Sequence, residues 1–80
     1  MKARIHVTLK PDVLDPQGKA IHQAATALGY ATLSSVRQGK LFEVELSAAD
    51  EDSARELLGE LCKKLLANPV IEDFEILGVE

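Results

Sequence analysis

The sequence predicts an α+β sandwich of order β-α-β-β-α-β, a four-stranded antiparallel sheet with two helices on one face. Three observations carry that expectation. Residues 3–9 alternate strictly between apolar and polar, two later segments repeat apolar residues at helical spacing, and short alternating runs fill the remaining chain. With 80 residues, 46% of them hydrophobic, the chain reads as one small domain, 1–80.

The first strand sets Ala3, Ile5, Val7 and Leu9 against Lys2, Arg4, His6, Thr8 and Lys10, one side for the core and one for solvent. Pro11 ends it, because proline cannot donate to a ladder. Asp15-Pro16 then opens a helix: Asp is a favoured cap and Pro a favoured first helical residue. Ala20, Ile21, Ala24, Ala25 and Leu28 form its apolar stripe, with alanines small enough for close approach to a sheet, and Gly29 closes it. Leu33–Gln38 and Leu41–Ser47 read as a hairpin around Gln38-Gly39-Lys40, with Gly39 supplying a positive φ.

Asp50-Glu51-Asp52 places three acids at a second helix start, where they complement the macrodipole. Ala54, Leu57, Leu58, Leu61, Cys62, Leu65 and Leu66 make its stripe, and Asn68-Pro69 stop it. The last strand, Val70–Val79, is two-faced. Val70, Phe74 and Ile76 share one phase with Glu72, while Ile71, Leu77 and Val79 share the other with Asp73 and Glu75. A strand with apolar residues on both sides is expected to be buried twice or shared with a second copy. This order of elements is the split βαβ pattern of ferredoxin-like folds. In the usual strand order the first strand lies centrally, so Arg4 and His6 face Glu43, Glu45 and the acids of the last strand.

That pairing answers an uneven charge. Residues 1–40 hold six Lys/Arg against two acids (+4), and residues 41–80 hold three against eleven (−8). A net charge of −4 argues against nucleic acid unless the basic residues gather on one face. No apolar run reaches the roughly 18 residues of a membrane span, and a lone Cys excludes an internal disulfide. A cytoplasmic location is expected, with no membrane partner. Domains this small usually lean on a disulfide, a metal or self-association; the third is the one left.

Catalytic and metal-binding constellations are missing. Tyr30, Phe42 and Phe74 are too few and scattered for base stacking, the loop after the first strand has no cysteine pair, and it has no glycine-rich anion loop. Cys62 falls on the leucine stripe as a structural thiol; His6 and His22 read as solvated. Asp50–Asp52 point in different directions, so capping explains them better than a cation.

Three segments exceed what packing demands: Val13-Leu14-Asp15-Pro16-Gln17-Gly18, Val36-Arg37-Gln38-Gly39-Lys40, and Leu65-Leu66-Ala67-Asn68-Pro69-Val70-Ile71-Glu72-Asp73. At these segments, and in their spacing, the chain resembles the PurS family, the small subunit of formylglycinamide ribonucleotide amidotransferase in purine biosynthesis. The resemblance implies a non-catalytic subunit that joins the ATP-dependent synthetase PurL and the glutaminase PurQ, and supports ammonia transfer between them. ATP and magnesium then belong to the complex, and this chain binds no cofactor. Asp15, Pro16, Gln17, Gly18, Arg37, Gly39, Lys40, Asn68 and Pro69 are the expected subunit-interface residues. Val70, Ile71, Phe74, Ile76 and Leu77 are expected in a homodimer, with pairing of dimers into a tetramer left open. Two other classes compete: a stand-alone ferredoxin-like module binding a small molecule, and a small hydrolase using His6 or His22.

Overall fold

The computed structural model describes residues 1–80. Strand β1 (Lys2–Leu9) is followed by helix α1 (Pro16–Ala27), strand β2 (Gly39–Glu45), helix α2 (Glu51–Leu61) and strand β3 (Glu72–Val79). The ferredoxin-like α+β class stands. The sheet is antiparallel, in the order β2-β1-β3, so the first strand is central as expected. Its alternation decides the layers: Ala3, Ile5 and Val7 are fully buried, and Leu58 and Cys62 of α2 close over them. The opposite side pairs charge. Lys2 Nζ lies 3.3 Å from Glu43, and Arg4 stands beside Glu43 in the ladder and His6 beside Glu75, which is how the basic and acidic halves meet.

Both helix starts follow their capping chemistry. The Asp15 carboxylate accepts from Gly18 N–H (3.0 Å) and the Asp50 carboxylate from Ser53 N–H (2.8 Å). Gly29, the one residue at positive φ (102°), closes α1. Beyond Leu61 the second helix widens into a π-helical turn, Cys62–Leu66, where Ala67 N–H reaches back to Cys62 C=O (2.9 Å). Asn68 and Pro69 then end it.

Four expectations are corrected. The Leu33–Gln38 strand does not form, and the sheet has three strands. Its backbone is used elsewhere: Gln38 N–H donates to Asp15 (2.6 Å), and Leu33 C=O lies 2.8 Å from His22 Nε2. Gly39 makes no turn; it starts β2 opposite Thr8, where a Cβ would lie 2.8 Å from His6 Nε2 and 2.9 Å from Thr8 Cγ2. The last strand is not buried on both faces within the chain, since Leu77 is exposed, and its two phases meet at a bulge. Arg4 pairs with Gly78 and Ile5 with Ile76, so Leu77 is the extra residue, and Val79 rejoins Phe74 and Ile76 against the core.

The fourth correction concerns α1. Its alanines do not rest on the sheet: Ile21, Ala24 and Leu28 are exposed, and Gly18 is the only buried residue of the helix. The helix and its return, residues 29–36, stand out as an arm. The molecule therefore measures 51 × 25 × 14 Å, with a radius of gyration of 15.9 Å; a compact 80-residue domain has about 12 Å.

Candidate functional site

The three segments singled out in the sequence converge at one place. Past the last turn of α2, Val7 and Leu9 of β1 floor a cleft of about 350 Å³. Its walls are Asp15 and Gln17 from the first segment, Gln38, Gly39 and Lys40 from the second, and Asn68, Ile71 and Glu72 from the third. Sequence spacing gives no hint of this meeting; the antiparallel pairing of β1 with both neighbours creates it.

Each wall is tied down. One Asp15 oxygen caps α1 and the other accepts Gln38 N–H, so the residue bridges the first two segments. Gln38 Nε2 donates to Gln17 Oε1 (2.7 Å), and Arg37 donates to Lys10 C=O (3.0 Å). In the third segment, Asn68 N–H donates to Glu72 Oε1 (2.8 Å) and Val70 N–H to Asn68 Oδ1 (3.0 Å). Glu72 N–H donates back to Asn68 C=O (2.7 Å). Lys40 Nζ lies 3.7 Å from Glu72 Oε2, with the lysine 63% exposed and the glutamate 13%. Glu72, the acid in the apolar phase of β3, is thus the post that holds the third segment.

The backbone N–H groups of Gln38 and then Gly18, helped by the Arg37 charge, hold the Asp15 carboxyl below the ordinary aspartate range, against a desolvation that pushes the other way. A carboxyl lowered on folding contributes stability that is complete above its unfolded pKa, about 4, and lost as pH falls through the folded value. The arm's root is therefore expected to loosen below about pH 4. Amide exchange at Gly18 and Gln38 should accelerate there in the wild type, and be fast already at neutral pH in Asp15→Ala.

No cluster of His, Cys, Asp and Glu could hold a metal ion, and every buried side-chain polar atom has a hydrogen-bond partner. Cys62 is buried under the sheet and burial raises its thiol pKa. His6 lies against Gly39 and His22 against Leu33 C=O, on different elements, and neither is hydrogen-bonded to an acid. Of the expected interface residues, Asp15, Gln17, Gly39, Lys40 and Asn68 line the cleft. Arg37 braces it from Lys10, Gly18 lies beneath Asp15, Pro16 is the first residue of α1, and Pro69 lies in the turn before β3. Gln38 and Glu72 belong to it as well. Glu72 announces itself as a misplaced acid; Gln38 acts through both its backbone N–H and its side-chain amide, and its place in the sequence gives no sign of either partner. Of the homodimer candidates, Phe74 and Ile76 are turned to the core, whereas Val70, Ile71 and Leu77 are exposed.

The family model described as "PurS: Phosphoribosylformylglycinamidine (FGAM) synthase" matches residues 2–80. The chain is 49% identical over 79 residues to the subunit PurS of that synthase from Synechocystis, covering 96% of this chain and 79% of the relative. It is 47% identical over 75 residues to the Mycobacterium leprae subunit, covering 94% and 91%. Among solved structures, Bacillus subtilis PurS superposes with a TM-score of 0.86 at 42% identity, over 99% of this chain and 98% of that one. The Thermotoga maritima structure described as PurLQS contains a chain matching with a TM-score of 0.85 at 26% identity, over 99% of each.

Proposed function

Because this chain belongs to the PurS family, we propose that it is the non-catalytic small subunit of a phosphoribosylformylglycinamidine synthase. It joins a PurL synthetase to a PurQ glutaminase, supports ammonia transfer between them, and self-associates. The observation that carries this reading is the convergence of its three distinctive segments into one rigid, internally satisfied cleft. Such a surface is built to be recognised, and it holds no nucleophile, base or phosphate loop. The relative seen in a PurLQS structure supplies the partners by analogy. ATP and magnesium are used by the complex, at sites on the larger chains. No helix of this chain is long and apolar enough to cross a membrane, in keeping with work beside cytoplasmic enzymes. The exposed Val70, Ile71 and Leu77 of the last segment offer surface for self-association.

Reconstitution tests the reading. The chain alone should turn over neither glutamine, ATP nor formylglycinamide ribonucleotide. Added to PurL and PurQ, it should be required for glutamine-dependent synthesis; turnover without it, or by it alone, defeats the reading. Lys40→Ala is the cleaner interface probe. Its ammonium is exposed and 3.7 Å from Glu72, a long contact that contributes about 0–1 kcal/mol, so melting should barely move while affinity for the larger subunits falls. Arg37→Ala should weaken the complex too, but also cost about 1 kcal/mol through the lost bond to Lys10 C=O.

A further inference from the structure

A second, smaller cleft of about 190 Å³ lies between α1 and the segment that returns from it. Lys19 and His22 line it from the helix, Ser34, Ser35 and Arg37 from the return, and Asp15 from the root. Its polar groups are mostly donors without a partner. The ion pairs of the chain use Lys2, Lys40 and Arg55, so Lys19 and Arg37 are in none. Arg37 gives one guanidinium N–H to Lys10 C=O and keeps the others. The return is the stretch that does not become a strand. Between Leu33, whose C=O takes His22 Nε2–H, and Gln38, whose N–H goes to Asp15, no backbone N–H reaches a protein acceptor. The one acid in the lining, Asp15, is already occupied by Gly18 and Gln38 N–H. Two cations against one such acid make this spot positive on a chain of net charge −4.

We propose that this cleft binds a phosphate group, either the free anion or the phosphate of a small phosphomonoester. The inference goes beyond the subunit role and does not depend on it. A phosphate presents three strong acceptor oxygens and more than one negative charge. The lining answers with a planar guanidinium fork, an ammonium point charge, two hydroxyls and a run of backbone N–H groups. These donors stand on two sides, helix and return, as a tetrahedral anion needs. Size agrees: the cleft falls below the roughly 300–1,000 Å³ of pockets that enclose whole drug-sized molecules, and suits one charged group. It is also preformed. The Asp15 bonds to Gly18 and Gln38 clamp its root, and the His22 bond to Leu33 C=O ties the return to α1 one turn beyond Lys19. Little ordering is left for the anion to drive.

Titrating the isotope-labelled full chain with inorganic phosphate, at an ionic strength held constant with chloride, tests this. The amide signals of Lys19, His22 and residues 34–37 should shift together along one saturating curve; the absence of saturation overturns the site. Lys19→Gln should keep the fold, because its side chain is exposed and unpaired. It should weaken phosphate binding about tenfold, the loss of one charge-assisted hydrogen bond. Lys64→Gln removes an exposed cation from the π-helical turn instead, and should leave the curve unchanged. Equal weakening by the two variants would reduce the effect to diffuse charge and overturn the proposal. Ribose 5-phosphate separates the two sources: tighter binding than inorganic phosphate assigns the cleft to a phosphomonoester, and equal or weaker binding to the free anion. Acetate bound as tightly as phosphate overturns the proposal and makes the cleft a seat for a carboxylate.

Discussion

Leu58→Ala is expected to cost the fold about 2–5 kcal/mol, the range for emptying a leucine site in a core that cannot collapse onto it. Leu58 is fully buried, and the sheet beneath it is the rigid Ala3–Ile5–Val7 face of a strand paired on both sides. Few residues share the load: nine of 80 are buried. A chain of this length has about 4–12 kcal/mol to lose in all, so this one truncation removes a large fraction of it. Urea unfolding at fixed protein concentration should show a lowered midpoint with an unchanged slope, the mark of lost stability rather than altered compactness. Leu57→Ala, one position away and half-exposed, should cost far less in the protomer. Equal losses at the two positions would mean that α2 does not lie as described.

The contrast between Leu58 and Leu57 was partly legible in the sequence. The amphipathic stripe of α2 follows from spacing alone, as do the alternation of β1, both aspartate caps and the stop at Asn68. These are local facts, set by propensity and by the period of the apolar residues. What stayed hidden was every decision made between distant backbones. Leu33–Gln38 has the composition of a strand, yet its groups at Leu33 and Gln38 go to His22 and Asp15, and neither claim is visible in a pattern of apolar residues. Gly39 resembles a turn residue in sequence and is instead a glycine that lets β2 approach His6 and Thr8. The two phases of the last strand are visible in its sequence, but the bulge at Leu77 that moves Val79 to the core side leaves no signature there. The stripe of α1 is likewise real, but a stripe does not say against which surface a helix lies, and this one does not lie on the sheet of its own chain. The candidate site follows the same rule: its three segments stood out one by one, and only the strand register brings them into a single cleft.

The arm's root gives the second large effect, and one whose sign runs against helix propensity. Gly18 lies in the first turn of α1, where replacing glycine by alanine ordinarily stabilises a helix by about 1 kcal/mol. Here a Cβ would collide with Val36 C=O and lie 2.5 Å from Asp15 Oδ2. The carbonyl belongs to the backbone of the returning segment and cannot rotate away, so the clash must move the segment or the helix. Either movement lengthens the bond from Gln38 N–H to Asp15 and disturbs the one from Arg37 to Lys10. Gly18→Ala is therefore expected to destabilise by about 1–3 kcal/mol, the usual cost of overpacking. Gly59→Ala is the matched control. That glycine also sits in a helix, α2, but nothing lies within 4 Å of where its Cβ would be. It should gain the ordinary propensity, about 1 kcal/mol. The two variants thus have opposite predicted signs from the same substitution, and urea midpoints measured side by side read the difference directly. A Gly18→Ala protein as stable as Gly59→Ala would show that α1 and its return do not touch at Val36, and with that the clamp that sends the arm outward would be gone.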